Sequence, residues 1–321
     1  MLTDVEILDL LKLTIPKEHI PKNLNIITDT TNFFSINYGD IVLLDNRPYL
    51  IRHDQKEGRF GIDEQPKFWV KKAIDLVDGT QKIMKLTFLE RFMSKVGDLT
   101  FECFRSPKKE ARILDLVRGD KRFMQGFSVN DIAGNTVRVI DFIKGSNFAD
   151  YILTLGSSHE DYFFNHFPAV LQEYIELVKA IQFLHENNEK HGDIRRDHII
   201  RDKHTGTNIW IDFDYNYIHK ENMFGYDIFG LGNILNYIVG RGDVTIQELQ
   251  RESPLTAYKI DKNDMNIIFN NRVVNLKKVY PYIPDELNFI LLHFSLGASV
   301  FYDDIRQLLN DIEEAINKTS T

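Results

Sequence analysis

Residues 183–215 read FLHENNEKHGDIRRDHIIRDKHTGTNIWIDFDY, a stretch crowded with carboxylates and imidazoles. A helix is expected to end near Asn187-Asn188, and a loop to carry His191, Gly192 and Asp193. A short strand, NIWID, then delivers Asp212 at its end, nineteen positions after Asp193. His198 lies five positions past Asp193. Transfer of a phosphoryl group asks little covalent chemistry of a protein. It asks for a hard cation held on the phosphates, a carboxylate near the incoming hydroxyl, and positive charge on the leaving phosphates. Mg²⁺ takes oxygen ligands and is commonly held by one or two carboxylates, which a loop aspartate and a strand-end aspartate would supply. A metal-dependent hydrolase with His191, Asp193, His198 and Asp212 as ligands is the competing reading. Its H-x-D-x4-H spacing falls on a loop and matches no helix-face ligand motif, and it expects a stoichiometric transition metal.

The chain that must position these groups has 321 residues, 43% hydrophobic and 27% charged, which suits a globular protein of about two domains. With 39 Lys and Arg against 47 Asp and Glu, the net charge is −8. That balance argues against a general electrostatic footprint for nucleic acid. One cysteine, Cys103, excludes an internal disulfide framework and a Cys-based zinc site, and fits a reducing compartment. The start, MLTDVEILDLL, places Asp4, Glu6 and Asp9 where a secretion signal would need positive charge and an unbroken apolar run. No stretch approaches 18 apolar residues, so no membrane partner and a cytoplasmic location are expected.

The remaining pattern sorts into a strand-rich half and a helix-rich half. Residues 1–14 read as a short helix with Val5, Leu8 and Leu11 on one face, and Pro16 and Pro21 break the chain after it. IVLLDNRPYLIR and WVKKAIDLVDGTQKIMKLTF each carry two apolar runs around a turn, and read as β-hairpins. Ser106-Pro107 opens a helix through KKEARILDLV that stops near Gly119. Strands follow around FMQGFSV and TVRVIDFI. Beyond Gly145 helices take over, with apolar stripes through Leu171, Tyr174, Ile175, Val178 and Ile181 and through Ile305, Leu308, Leu309, Ile312 and Ile316. The expected fold class is α+β in two lobes: an N-terminal extension over 1–45, a sheet lobe over 46–143 and a mostly helical lobe over 144–321.

HGDIRRDH resembles the catalytic loop H-R-D-L-x-x-x-N of the protein-kinase-like phosphotransferases, and IDFD resembles their D-F-G metal-binding segment. Further landmarks of that family follow in order over roughly residues 57–315. The resemblance implies an antiparallel sheet lobe with one key helix and a helical second lobe. It implies that Lys85, on the strand after Gly79, contacts the α- and β-phosphates of ATP, with Glu110 of the first long helix as its partner. Gly58 and Gly61 are similar to the second half of the glycine-rich loop, although the full G-x-G-x-x-G is absent. VRVIDFIKGSNF resembles the adenine-binding hinge, so that backbone groups of Asp141 and Ile143 would read the base with Ile140 behind it. Asp193 would orient the acceptor hydroxyl, Arg195 would neutralise the transferring phosphate, and Asp212 would hold Mg²⁺. YDIFGLGNILNYIVG resembles the buried helix whose first-turn aspartate, here Asp227, accepts hydrogen bonds from the backbone around His191 and Asp193. Arg196 is expected to pair with Asp197 or Asp202.

Three departures qualify the resemblance. His198 stands where the family's catalytic loop has a metal-binding asparagine, which leaves one-metal operation, Mn²⁺ preference or reduced activity open. Gly192 replaces the arginine before the aspartate, so control by a phosphorylated activation loop is not expected. Only fifteen positions separate Asp212 from Asp227, and no A-P-E occurs there. That brevity is similar to aminoglycoside, choline and sugar kinases. The implied function is thus ATP- and Mg²⁺-dependent transfer of the γ-phosphate to a hydroxyl, as an atypical serine/threonine protein kinase. A small-molecule kinase and a nucleotide-binding pseudokinase stand as alternatives.

Overall fold

The computed structural model describes residues 2–59, 62–97, 99–218 and 222–319. The chain forms two compact units, Met1–Glu90 with Arg105–Ile143, and Arg91–Phe104 with Lys144–Thr321.

In the first unit, α1 (Asp4–Thr14) starts on a capping box between Thr3 and Glu6 and buries Ile7 and Leu11. Seven strands lie in chain order between α1 and the next α-helix: β1 (Ile26–Ile27), β2 (Ile41–Leu44), β3 (Arg47–Arg59), β4 (Ile62–Asp75) and β5 (Gln81–Lys85), then β6 (Arg91–Val96) and β7 (Leu99–Arg105), which belong to the second unit as far as Phe104. The first unit resumes with α2 (Pro107–Leu116), β8 (Gly126–Asn130) and β9 (Thr136–Asp141). Seven strands make one sheet in the order β1-β2-β3-β4-β5-β9-β8. The turn between β2 and β3 is made by Asp45 and Asn46, both at positive φ, as a two-residue hairpin turn that follows the strand twist requires. Alternation then sends neighbouring residues to opposite faces. Ile41 and Leu50 pack with Ile7 and Leu11 of α1, while Val42, Leu44, Tyr49 and Ile51 join Met84, Val137 and Val139 in a second core.

The second unit carries β10 (Gly145–Asn147), α3 (Phe148–Thr154), α4 (His159–Asn165) and α5 (Phe167–Glu186). It continues with β11 (Ile199–Asp202), β12 (Asn208–Trp210), β13 (Tyr215–Ile218), α6 (Gly225–Gly240), α7 (Ile246–Glu252), α8 (Pro254–Ala257), α9 (Asp285–Leu292) and α10 (Ile305–Thr319). α5 buries the stripe from Leu171 to Ile181, and its Tyr174 hydroxyl donates to the carbonyl of Leu231 on α6. α6 is buried over most of its circumference, as its near-continuous apolar sequence demands. Strands β10, β11 and β12 form a small sheet that frames the loop after α5.

The sequence pattern does not announce β6 and β7. Arg91, Lys95, Glu102 and Arg105 hide the alternation, yet the two segments pair in an antiparallel hairpin. β13, on the segment after Asp212, extends that hairpin into a three-stranded sheet. Val96, Phe101 and Cys103 of the hairpin share a core with Tyr217. The one cysteine is thus a buried apolar residue. Among the described residues no helix is long and apolar enough to cross a membrane.

Candidate functional site

The loop after α5 is pinned from below by Asp227, in the first turn of α6. Its carboxylate accepts the backbone N–H of His191 at 2.7 Å and of Gly192 at 2.9 Å, with His185 Nε2 at 3.1 Å. Burial alone would raise the Asp227 carboxyl; the hydrogen bond and charge of His185, His191 and the Gly192 N–H outweigh it and hold it below the ordinary carboxylate value. The bonds come from His191 and Gly192, whereas the N–H of Asp193 points to Nδ1 of His191 at 3.3 Å. Gly192 has φ +87°, a left-handed conformation that a side chain disfavours. This explains why glycine suits the position before Asp193.

Asp193 sits at the head of this loop. Burial pushes its carboxyl above the ordinary value; His198 and Arg195 oppose that and Asp212 reinforces it. His198 stands between the two aspartates. Its Nδ1 lies 2.8 Å from the backbone oxygen of Asp193, and its Nε2 3.5 Å from Oδ2 of Asp212. Asp212 itself adopts φ +71°, an uncommon conformation for a residue with a side chain and one that concentrates at functional positions. Phe213, next to it, is fully buried and meets the ring of His191 edge-on at 5.0 Å.

Arg195 is committed to Asp197 through two hydrogen bonds, Nε to Oδ1 at 2.9 Å and Nη2 to Oδ2, and reaches Oδ2 of Asp193 only at 4.0 Å. Burial would raise Asp197, but His198 and Arg195 bring it below the ordinary range. Arg196 pairs with neither Asp197 nor Asp202. It makes a two-pronged bond to Asp243, at 2.7 and 2.8 Å, and lies over the Tyr237 ring. Asp202 instead caps its own turn through the N–H groups of His204 and Thr205. A partner 47 positions away leaves no local trace in sequence.

In the first unit, α2 begins at Ser106, whose side chain accepts from the N–H of Lys109, with Pro107 in the first turn. This start directs Glu110 inward. The carboxylate is fully buried and Lys85 Nζ donates to its Oε1 at 2.7 Å. Sequence reasoning missed the third member: Arg138 of β9 donates from Nε to the other oxygen, Oε2, at 3.0 Å. The signal was available, because a cation in the middle of the apolar strand TVRVID needs a buried counter-charge. Ile140 is buried at the strand end. Asp141 donates its N–H to the carbonyl of Gln125 at 2.9 Å and pairs its carboxylate with Lys82 at 2.6 Å. The N–H of Ile143 takes no backbone hydrogen bond among the described residues. Gly58 falls at an irregularity of the β3–β4 ladder, between the pairs Glu57–Gln65 and Arg59–Ile62. Gly61 lies outside the described residues.

Among the described residues no group of three or more His, Cys, Asp or Glu side chains is arranged to hold a metal ion. The donor chemistry near Asp212 still fits Mg²⁺, which keeps waters and takes phosphate oxygens beside one or two carboxylates. Asp212 would be the carboxylate and His198 Nε2 a nitrogen donor.

No protein-family model matches the sequence, and no curated protein does. Solved structures do. The PknI kinase domain of Mycobacterium tuberculosis, in a doubly substituted form, is similar with a TM-score of 0.50 and 11% identity, over 87% of this chain and 98% of that one. A singly substituted form of the same domain matches with a TM-score of 0.49 and 11% identity, over 88% and 99%. At this identity the likeness is one of fold: the chain has a protein-kinase-like α+β fold, with a sheet-rich unit and a helical one.

Proposed function

We propose that this chain is an ATP- and Mg²⁺-dependent phosphotransferase that passes the γ-phosphate to a hydroxyl, as an atypical serine/threonine protein kinase. The observation that carries this reading is the placement of Asp193 and Asp212 on either side of His198, one carboxyl raised by burial and the other on a left-handed backbone. A carboxylate with a raised pKa suits acceptance of a hydroxyl proton near neutral pH. Asp193 therefore orients the acceptor and receives its proton. Asp212 is the ligand for Mg²⁺, with which the site gains neutralisation of charge on the phosphate oxygens.

In the first unit, Lys85 fixed by Glu110 contacts the α- and β-phosphates, and the backbone of Asp141 and Ile143 reads the adenine. Arg195, already turned toward Asp193 at 4.0 Å, exchanges part of its bond to Asp197 for the transferring phosphate, for which its planar fork is suited. His198 favours a second reading, a nucleotide-binding module without turnover, because the imidazole occupies the place of an oxygen donor.

Labelled γ-phosphate from ATP, with Mg²⁺ and with Mn²⁺, separates the readings. Transfer to protein acceptors that disappears in both Asp193→Asn and Asp212→Asn supports the kinase. ATP-dependent thermal stabilisation with no transfer to proteins or to small hydroxyl compounds supports the second reading. Full transfer by Asp193→Asn would refute the assignment of the proton acceptor.

A further inference from the structure

We infer that Arg138 is a positioning residue for the proposed phosphotransfer: it locks the Glu110 carboxylate in the orientation that holds Lys85. Lys85 and Arg138 are register partners across the antiparallel β5–β9 pair, so their side chains leave the same face of the sheet. Two like charges directly opposite one another are destabilising. Burial makes this worse, since both residues are almost fully enclosed. Glu110 of α2 resolves the conflict by giving one oxygen to each cation, Oε1 to Lys85 at 2.7 Å and Oε2 to Arg138 at 3.0 Å.

The arrangement fixes more than charge. A carboxylate held by a single ammonium can turn about its terminal bond and keep the contact. Held at both oxygens, it has one orientation. Arg138 is a stiff mount, because its Nη1 also donates to the carbonyls of Thr136 at 2.8 Å and Leu86 at 3.2 Å. Leu86 directly follows Lys85, so the guanidinium ties the end of β5, its own strand and α2 to one point. All three charged residues belong to the first unit. The three charged side chains thus hold one another within that unit.

The importance of Arg138 for turnover rests on the reading under Proposed function, whereas its hold on Lys85 does not. The test uses the full chain and compares wild type, Arg138→Met, Arg138→Lys and Glu110→Gln. Methionine fills a similar space, and Glu110 keeps Lys85 as its counter-charge, so no buried charge is left unpaired. First, acetylation of Lys85 by acetic anhydride is followed by mass spectrometry without nucleotide. A loosened Glu110 stabilises the ammonium less, so Lys85 reacts several-fold faster in Arg138→Met, approaching Glu110→Gln, and at an intermediate rate in Arg138→Lys. Unchanged Lys85 reactivity in Arg138→Met overturns the inference, whatever Glu110→Gln does. Should the methionine variant fail to fold, Arg138→Lys decides: an intermediate rise supports the inference and none overturns it. Second, the KM for ATP rises about tenfold in Arg138→Met while the KM for the acceptor stays within twofold, a split that general loosening of the fold does not give. An equal rise in both overturns the positioning role. If wild type neither binds ATP nor transfers phosphate, the functional reading fails, and the acetylation result still decides how Lys85 is held.

Discussion

Nδ1 of His198 lies 2.8 Å from the backbone oxygen of Asp193, to which it donates, and its Nε2 faces Oδ2 of Asp212, 3.5 Å away. A loop residue in the place of a family asparagine is thus oriented by the main chain of the proposed proton acceptor. The same bond points Nε2 of the imidazole at the carboxylate proposed to hold the metal.

Nitrogen donors favour Mn²⁺ relative to Mg²⁺ more than amide oxygens do. In His198→Asn the ratio of Mn²⁺-supported to Mg²⁺-supported turnover falls by about tenfold, on the order of 1.4 kcal/mol of differential binding. Electron paramagnetic resonance titration of Mn²⁺ in the presence of a non-hydrolysable ATP analogue reports the same change without turnover. An unchanged ratio and an unchanged Mn²⁺ affinity would remove His198 from the metal's ligands.

Gly230 of α6 supports the catalytic loop by having no side chain. A Cβ there would lie 2.6 Å from Cβ of Ile194 and 2.9 Å from its carbonyl oxygen. Ile194 is buried and directly follows Asp193, so the crowding would be relieved by moving the loop. Gly230→Ala is expected to cost about 1–3 kcal/mol in urea unfolding, the usual range for overpacking. It also lowers kcat by at least tenfold at a temperature where the variant remains folded. A variant that unfolds more easily but turns over normally would place the shift elsewhere, in α6 itself.

Much of the fold was legible because it depends on local signals. The Ser106-Pro107 start of α2, the Asp45-Asn46 and Asp78-Gly79 turns, and the apolar stripe of α5 each specify their element within a few residues. Lys85, Glu110, Asp193 and Asp212 stood out for a related reason, since their neighbours carry recognisable patterns. What sequence left hidden is set by distant partners. The hairpin of β6 and β7 owes its stability to β13 and Tyr217, more than a hundred positions on. Arg196 finds Asp243, and Arg138 finds Glu110, across turns that no short-range pattern encodes. Asp227 drew notice in the sequence because a first-turn aspartate on an otherwise apolar helix must find buried donors, and it finds the N–H groups of His191 and Gly192.

That same aspartate makes the protein acid-labile in a defined window. The folded-state pKa of Asp227 is lowered, so the unfolded chain binds its proton at higher pH than the folded one. Its stabilisation is complete above the unfolded value near 4 and is lost as pH falls through the folded one. Asp227→Ala removes the acceptor for two backbone N–H groups and is expected to cost roughly 2–6 kcal/mol at pH 7, at about 1–3 kcal/mol per abandoned buried donor. The deficit relative to wild type narrows below pH 4. Urea unfolding at pH 3, 4, 5 and 7 checks both statements, and a deficit that stays constant with pH would show that the carboxylate charge is not what stabilises the loop.

His159 of α4 gives the opposite end of the ordinary pH range its own sensitivity. The ring stacks on Tyr280 at 3.5 Å and 5°, its Nε2 lies 2.8 Å from the carbonyl of Val239, and its Nδ1 lies 2.6 Å from the hydroxyl of Tyr282. Nε2 donates to the carbonyl and Nδ1 accepts from the hydroxyl, so the neutral ring is satisfied at both nitrogens. Burial disfavours the imidazolium, and the nearby Arg241 adds to that, lowering the folded-state pKa below the usual 6.5. Between the folded and unfolded values the unfolded chain binds more protons, so stability rises with pH across that interval and is level above it. Acidification from pH 7.5 to 5 therefore destabilises the wild type, with a contribution from this group of at most about 1.4 kcal/mol per pH unit. His159→Phe keeps the stacking ring and loses both hydrogen bonds. It is expected to be less stable by about 1–3 kcal/mol at pH 8 and to lose less on acidification, so that the two unfolding curves converge toward pH 5. Equal slopes for the two proteins between pH 5 and 7.5 would assign the acid sensitivity to other histidines and leave His159 as a packing residue.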